Sequence, residues 1–254
     1  MRLEVLGADG SKLQGSSLCS VLLGNSVLLD AGSATNLPRD RQLSVEMVLL
    51  THAHLDHILE LGFILDATVA LRNAPLVIAG SAACLDMVRE HYLNDLVWPD
   101  FSGIRTSAGP SLVYRPLPDR EWLTLPGGLE AWMEPVCHGA GARGFLFRTR
   151  TGSAVYTGDT GPTETLWESA SELTDLRMII AEVSFPDSLE DMAIRSNHLS
   201  PGLLERELRK LGRDGIPLFA FHLKPWLRTE IERDLRRRFG ERVAILDSGT
   251  GLEL

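Results

Sequence analysis

Residues 51–57 read T-H-A-H-L-D-H and directly follow the apolar run Met47-Val48-Leu49-Leu50. Four side chains able to hold a metal therefore fall within six residues at the end of a strand-like segment. In an extended loop, residues two apart point the same way, so His52 and His54 can share one ion. Asp56 and His57 come where the next helix opens and face another direction, which suits a second ion. The backbone dipole favours an acid such as Asp56 at a helix start. Two ions need more donors than this run supplies, and strand ends offer them. His138 ends LEAWMEPVC, Asp159 sits in the turn T-G-D-T after SAVYT, and His222 ends PLFAFH. A lone histidine at a strand end is usually a structural residue, but three such donors beside an HxHxDH run form a joint signal.

The rest of the chain alternates in a way that accommodates those strand ends. Strand-like runs occur at 2–6, 17–23, 26–30 and 46–50, and amphipathic helical stretches at 57–71 and 81–93 flank a short strand, Leu76 to Ala79. An irregular stretch over 94–110 leads into a second strand-rich block, 111–157. Helices return at 163–171, 200–211 and 228–239, alternating with RMIIAEV, PLFAFH and VAILD. No internal repeat or linker-like shift interrupts this order. Strands, helices, strands, then helices predict two packed sheets with helices outside. The expectation is an α/β fold, one four-layer αββα domain over residues 1–254.

Composition narrows the partners. With 44% apolar and 23% charged residues among 254, the chain reads as an ordinary soluble globular protein. A net charge of −9 argues against broad binding to nucleic acid or anionic membrane. Cys19, Cys84 and Cys137 are odd in number and lack CxxC spacing, so a reducing compartment is expected. The opening MRLEVLGADG has no apolar h-region, and the longest charge-free stretch, Leu13 to Leu29, is broken by polar and glycine residues. The expected location is the cytoplasm.

The donors HxHxDH, His138, Asp159 and His222, in that order, resemble the metallo-β-lactamase superfamily across nearly the whole chain. The resemblance implies that His52, His54 and His138 hold one metal, that Asp56, His57 and His222 hold the other, and that Asp159 bridges them. It also implies the αββα sandwich, and it gives Asp30 in LLDAG a supporting place beside the site. The ions implied are two divalent metals: zinc first, with manganese or iron suited to the same imidazole and carboxylate mixture.

A further series, Glu182 in A-E-V-S-F, His198 in S-N-H-L-S-P and F-H-L-K-P, resembles the class II cyclic-nucleotide phosphodiesterases. A related Glu-and-His pair occurs in the tRNA 3′-end endonucleases of the same superfamily. Both imply phosphodiester hydrolysis, where the departing alkoxide needs a proton. His198 suits that role, and a Glu182 carboxylate would orient its ring and favour the imidazolium. Asp56 is assigned a second role in orienting the nucleophile. The expected partner is a small cyclic phosphodiester such as cAMP or cGMP, with no membrane. A tRNA precursor ranks lower for want of a basic surface or gripping arm, although bound cations would offset part of the negative charge. Other small cyclic phosphates are a further alternative. A thioester or lactam hydrolase would leave Glu182 and His198 without work, and a non-catalytic module would have lost ligands. A homodimer is compatible with the superfamily but carries no sequence signal.

Other signals point to structure. Gly139, Gly141 and Gly144 match GxGxxG but precede a strand and open no helix. RDLRRRF is interleaved with acids and reads as a solvated helix face. His91 reads as a helix-surface residue and Cys137 as a buried strand residue. Ser200-Pro201 would start a helix whatever His198 does. Lys224 is a candidate phosphate contact, and Tyr92, Trp98 and Phe101 could equally stack on a base or pack a loop.

Overall fold

A computed structural model describes residues 1–107 and 109–254 of the chain. The first half of the chain supplies β1 (Arg2–Gly7), β2 (Ser20–Leu23), β3 (Val27–Leu29), β4 (Met47–Leu49) and β5 (Leu76–Gly80). A two-residue ladder, β6 (Arg105–Thr106) with β7 (Gly109–Pro110), precedes β8 (Leu112–Pro116). The second half supplies β9 (Leu123–Thr124), β10 (Glu130–Pro135), β11 (Arg143–Arg148), β12 (Ser153–Tyr156), β13 (Leu176–Glu182), β14 (Leu218–Phe221), β15 (Val243–Ile245) and β16 (Gly251–Glu253). Two seven-stranded sheets result, ordered β16-β1-β2-β3-β4-β5-β8 and β15-β14-β13-β12-β11-β10-β9. The helices are α1 (Arg39–Ser44), α2 (Leu55–Ile58), α3 (Leu61–Thr68), α4 (Ala82–His91), α5 (Thr165–Ser171), α6 (Glu190–Arg195), α7 (Pro201–Arg209) and α8 (Arg228–Phe239).

Strands such as SVLL, VLL and MVL are apolar on both sides and wholly buried, as sheets covered on both faces require. Between the sheets, Val5, Leu29 and Leu49 interlock with Phe145, Tyr156 and Ile180. Outside the first sheet, Ile64 and Leu65 of α3 and Leu85 and Val88 of α4 cover Leu28, Val48 and Ile78. Outside the second, Trp167 of α5, Leu204 of α7 and Ile231 of α8 cover Val155, Ile179 and Ala220. This is the four-layer αββα order expected.

Strand direction explains how distant donors meet. β3, β4 and β5 run parallel in one sheet, and β12, β13 and β14 run parallel in the other. β10 and β12 are both antiparallel to β11, so they end at the same edge. β1 is likewise antiparallel to β2, which is antiparallel to β3. Loops after β1, β3, β4, β10, β12, β13 and β14 therefore gather at one end of the sandwich, where sheets with parallel strands usually hold their ligands.

Some local expectations change. The helix expected over 57–71 is broken into α2, α3 and a 3₁₀ turn, Val69–Leu71. At the break, the Glu60 carboxylate accepts from the backbone N–H and hydroxyl of Thr35, both at 2.7 Å. The aromatic stretch packs onto this corner: Tyr92 donates its hydroxyl to the Leu59 carbonyl at 2.8 Å, and Phe101 is buried. The Trp98 indole lies so close to Gly62 that a Cβ there would sit 2.6 Å from its Nε1. Packing, not base stacking, accounts for these three residues. The basic run in α8 is ion-paired, with Arg237 and Arg238 on Asp187 and Arg228 on Glu232 and Asp247. His91 is exposed, as expected, but Cys137 lies just past β10 and is exposed rather than buried.

Candidate active site

Every donor singled out in the sequence reaches the same end of the sandwich. Ring or carboxylate atoms of His52, His54 and His138 lie within 4.8 Å of one another, as do those of Asp56, His57, Asp159 and His222. Asp159 stands between the two groups. Its Oδ2 is 3.0 Å from His222 Nε2, 3.3 Å from His57 Nε2, 3.8 Å from His52 Nε2 and 3.9 Å from His138 Nε2. Asp56 Oδ2 is 3.2 Å from His222 Nε2, and His54 Nδ1 is 3.1 Å from His138 Nε2.

The outward ring nitrogens are anchored, which sets which nitrogen faces inward. Asp30 accepts from His57 Nδ1 at 2.7 Å and is itself held by the Thr51 N–H and hydroxyl at 2.8 and 2.9 Å. His138 Nδ1 donates to the Asn197 carbonyl at 2.9 Å, and His222 Nδ1 donates to Ser184 Oγ at 2.8 Å. Anchoring the far nitrogen in this way is how metal-binding imidazoles are oriented. Backbone strain collects here too: Asp30, Asn197 and His222 all have positive φ, at 55°, 54° and 64°. Gly10 of the loop after β1 passes so close that a Cβ would lie 2.3 Å from the His222 carbonyl.

Charge follows from this geometry. Burial pushes the Asp159 carboxyl up, but the surrounding imidazoles, His222 and His57 foremost, outweigh it and hold it well below the usual carboxylate range. For His57, burial favours the neutral ring, yet Asp159 and Asp30 together carry its pKa well above the ordinary value. Burial lowers His52, His54 and His138, leaving neutral rings with free lone pairs. Beneath them, burial raises the Cys19 thiol, and the nearby Asp159, Asp56 and Asp30 carboxylates raise it further, so it lines the floor as a neutral thiol.

His52 Nε2, His57 Nε2 and Asp159 Oδ1 are buried without an aligned hydrogen-bond partner among the described residues. Each such orphan costs on the order of 1–3 kcal/mol. Three converging in one imidazole and carboxylate cluster fit divalent cations, which would satisfy all of them.

Beside this cluster, His198 Nδ1 donates to Glu182 Oε1 at 2.9 Å. The fully buried Glu182 also accepts from the Thr160 and Leu199 N–H groups at 3.2 and 3.1 Å and from the Ser184 hydroxyl at 3.1 Å. Burial lowers the His198 pKa, but the Glu182 carboxylate more than offsets it, and the net shift is upward. The His198 ring centroid is 4.8 Å from that of His138 and 5.3 Å from that of His222. Ser200 still caps α7, accepting from Leu203 N–H at 3.2 Å, so capping and the His198–Glu182 pair coexist. Ser184 and Asn197 were not singled out in the sequence. Ser184 lies two residues after Glu182, and the two-residue period of extended chain was the available signal.

Comparison with known proteins identifies the family. Residues 25–220 match the family described as Beta-lactamase superfamily domain. A probable 3′,5′-cyclic-nucleotide phosphodiesterase of Yersinia pestis is 30% identical over 207 residues, covering 72% of this chain and 58% of that protein. The chain spans 50 to 60% of the length of the curated relatives it matches. Among solved structures, unliganded yeast PDE1 superposes with a TM-score of 0.85 at 19% identity, covering 100% of this chain and 99% of that one. The short form of human tRNase Z gives a TM-score of 0.64 at 16% identity, covering 100% and 99%. With its sandwich, its converging strand ends and the match over 25–220, the chain belongs to the beta-lactamase superfamily and has the metallo-β-lactamase fold.

Proposed function

We propose that this chain is a phosphodiesterase with a dinuclear divalent-metal centre that hydrolyses 3′,5′-cyclic nucleotides to 5′-nucleotides. The observation that carries the reading is the His198–Glu182 pair, 2.9 Å apart and pressed against the donor cluster. The name of the Yersinia pestis relative supports the same substrate class. His52, His54 and His138 would hold one ion and Asp56, His57 and His222 the other, with Asp159 shared. Such ions supply Lewis acidity toward phosphoryl oxygens and make water a nucleophile near neutral pH. Zinc suits these ligands, as do manganese and iron.

The chain's own residues do the remaining work. Asp56, with 27% of its side chain exposed, accepts a hydrogen bond from the attacking water and orients it. As the water oxygen bonds to phosphorus it gives up one proton to solvent, the P–O3′ bond breaks, and the departing O3′ takes a proton from His198 Nε2, which solvent then reprotonates. Glu182 holds Nδ1 and so keeps Nε2 the delivering atom. No helix among the described residues is long and apolar enough to cross a membrane. With all three cysteines free, a reducing cytoplasm is the proposed setting.

The test is turnover of 3′,5′-cAMP by purified, metal-analysed protein, with a tRNA precursor and a thioester alongside. Release of 5′-AMP alone is the expected result. Cleavage of the tRNA precursor or thioester in place of cAMP would overturn the substrate.

A further inference from the structure

His222 is followed by Leu223-Lys224-Pro225-Trp226, and the backbone turns at His222, whose φ is positive. Lys224 is half-buried, and among the described residues it forms no ion pair. The one hydrogen bond of its ammonium among the described residues, to the Gly10 carbonyl, is long at 3.5 Å. The ammonium instead lies 5.2 Å from the Phe185 ring centroid and 5.9 Å from that of Trp226. Phe185 in turn lies 6.0 Å from the His198 ring. Phe185 thus links the Lys224 ammonium to the His198 ring. Trp226 is 57% exposed, although a tryptophan ordinarily buries most of its surface.

A half-buried ammonium without a carboxylate, beside the group that delivers the proton, is suited to a phosphate oxygen. An open indole two residues on, within the 3₁₀ turn Pro225–Leu227, offers a flat face of the kind that bases stack on. We propose that Lys224 binds a phosphate oxygen of the substrate and that Trp226 stacks on its base, so that the site selects base-bearing phosphoesters over base-free ones. The proposal rests on the phosphodiesterase reading and narrows its substrate class.

Kinetics and metal content of wild type, K224M, W226L and W226F test it, with 3′,5′-cAMP and base-free 1-deoxyribose 3′,5′-cyclic phosphate as substrates. K224M should raise KM for both by about 10- to 100-fold, the worth of a charge-assisted hydrogen bond. W226L should raise KM for cAMP about tenfold, leave the base-free substrate unchanged, and be rescued by W226F. Metal content should not change in any variant. Unchanged KM in K224M, or equal effects of W226L on both substrates, would overturn the proposal. Calorimetric binding of 5′-AMP to the same variants decides it separately from turnover. Wild type that binds 5′-AMP but hydrolyses no cyclic nucleotide sinks the phosphodiesterase reading, while equal 5′-AMP affinity in wild type, K224M and W226L sinks this one.

Discussion

His52, His54 and His138 form a group that opens to solvent at His54, whereas Asp56, His57, Asp159 and His222 open at Asp56 and bring two carboxylates. The first group is built from imidazoles alone, and burial keeps them neutral. In the second, Asp30 and Asp159 grip His57 from both sides, and His222 is tied through Ser184 to Glu182 and so to His198. The difference teaches that the second group is a charge-compensated assembly, while the first depends on orientation by single contacts such as the Asn197 carbonyl. Asp159 belongs to both.

The largest effect should come from removing that shared residue. Asp159→Ala should lose metal and drop turnover to background, with metal content read by elemental analysis; retention of both ions would refute the shared role. Next, His198→Ala should leave metal content unchanged and cut turnover of an unactivated diester by about 10²- to 10⁴-fold. Full activity in that variant would remove His198 from the reaction. Asp30→Asn should separate the two groups. It should weaken one metal site by about 10- to 100-fold and spare the other, as two-step metal titration would show. Equal weakening of both sites would mean that the groups are not independent.

The smallest expected effect is on pH dependence. The Glu182 carboxylate raises the His198 pKa against the lowering effect of burial, so the protonated acid persists above the ordinary value near 6.5. The alkaline limb of the rate profile should therefore lie above that value, and Glu182→Gln should move it down. The same raised pKa contributes stability that is fully present below about 6.5 and is lost as pH rises through the folded value. The melting-temperature gap between wild type and Glu182→Gln should accordingly narrow as pH rises. A gap that widens would contradict the pairing.

Much of this site is legible along the chain because its donors follow strand ends. The T-H-A-H-L-D-H run after β4, and His138, Asp159 and His222 after β10, β12 and β14, are marked by residue type next to apolar runs. Contacts between loops distant in sequence are not marked. Nothing local says that the Asn197 carbonyl meets His138, 59 residues away, or that Gly10 brushes His222. The 57–71 stretch has continuous helical periodicity, yet contacts to Thr35 and Trp98 break it. Cys137 reads as strand interior, and only the end of β10 at Pro135 leaves it exposed.

The sequence by itself determined the layer order and the strand-end donors, while the pairing of Glu182 with His198 came from the family resemblance. It could do so because hydrophobic period and side-chain chemistry are local properties. Only the tertiary structure decided which ring nitrogen faces inward, which distant loops anchor the outward nitrogens, and that Lys224 has no counter-ion among the described residues. Those outcomes depend on loops from two sheets meeting within hydrogen-bond distance, and separations that small arise only once the sandwich has packed.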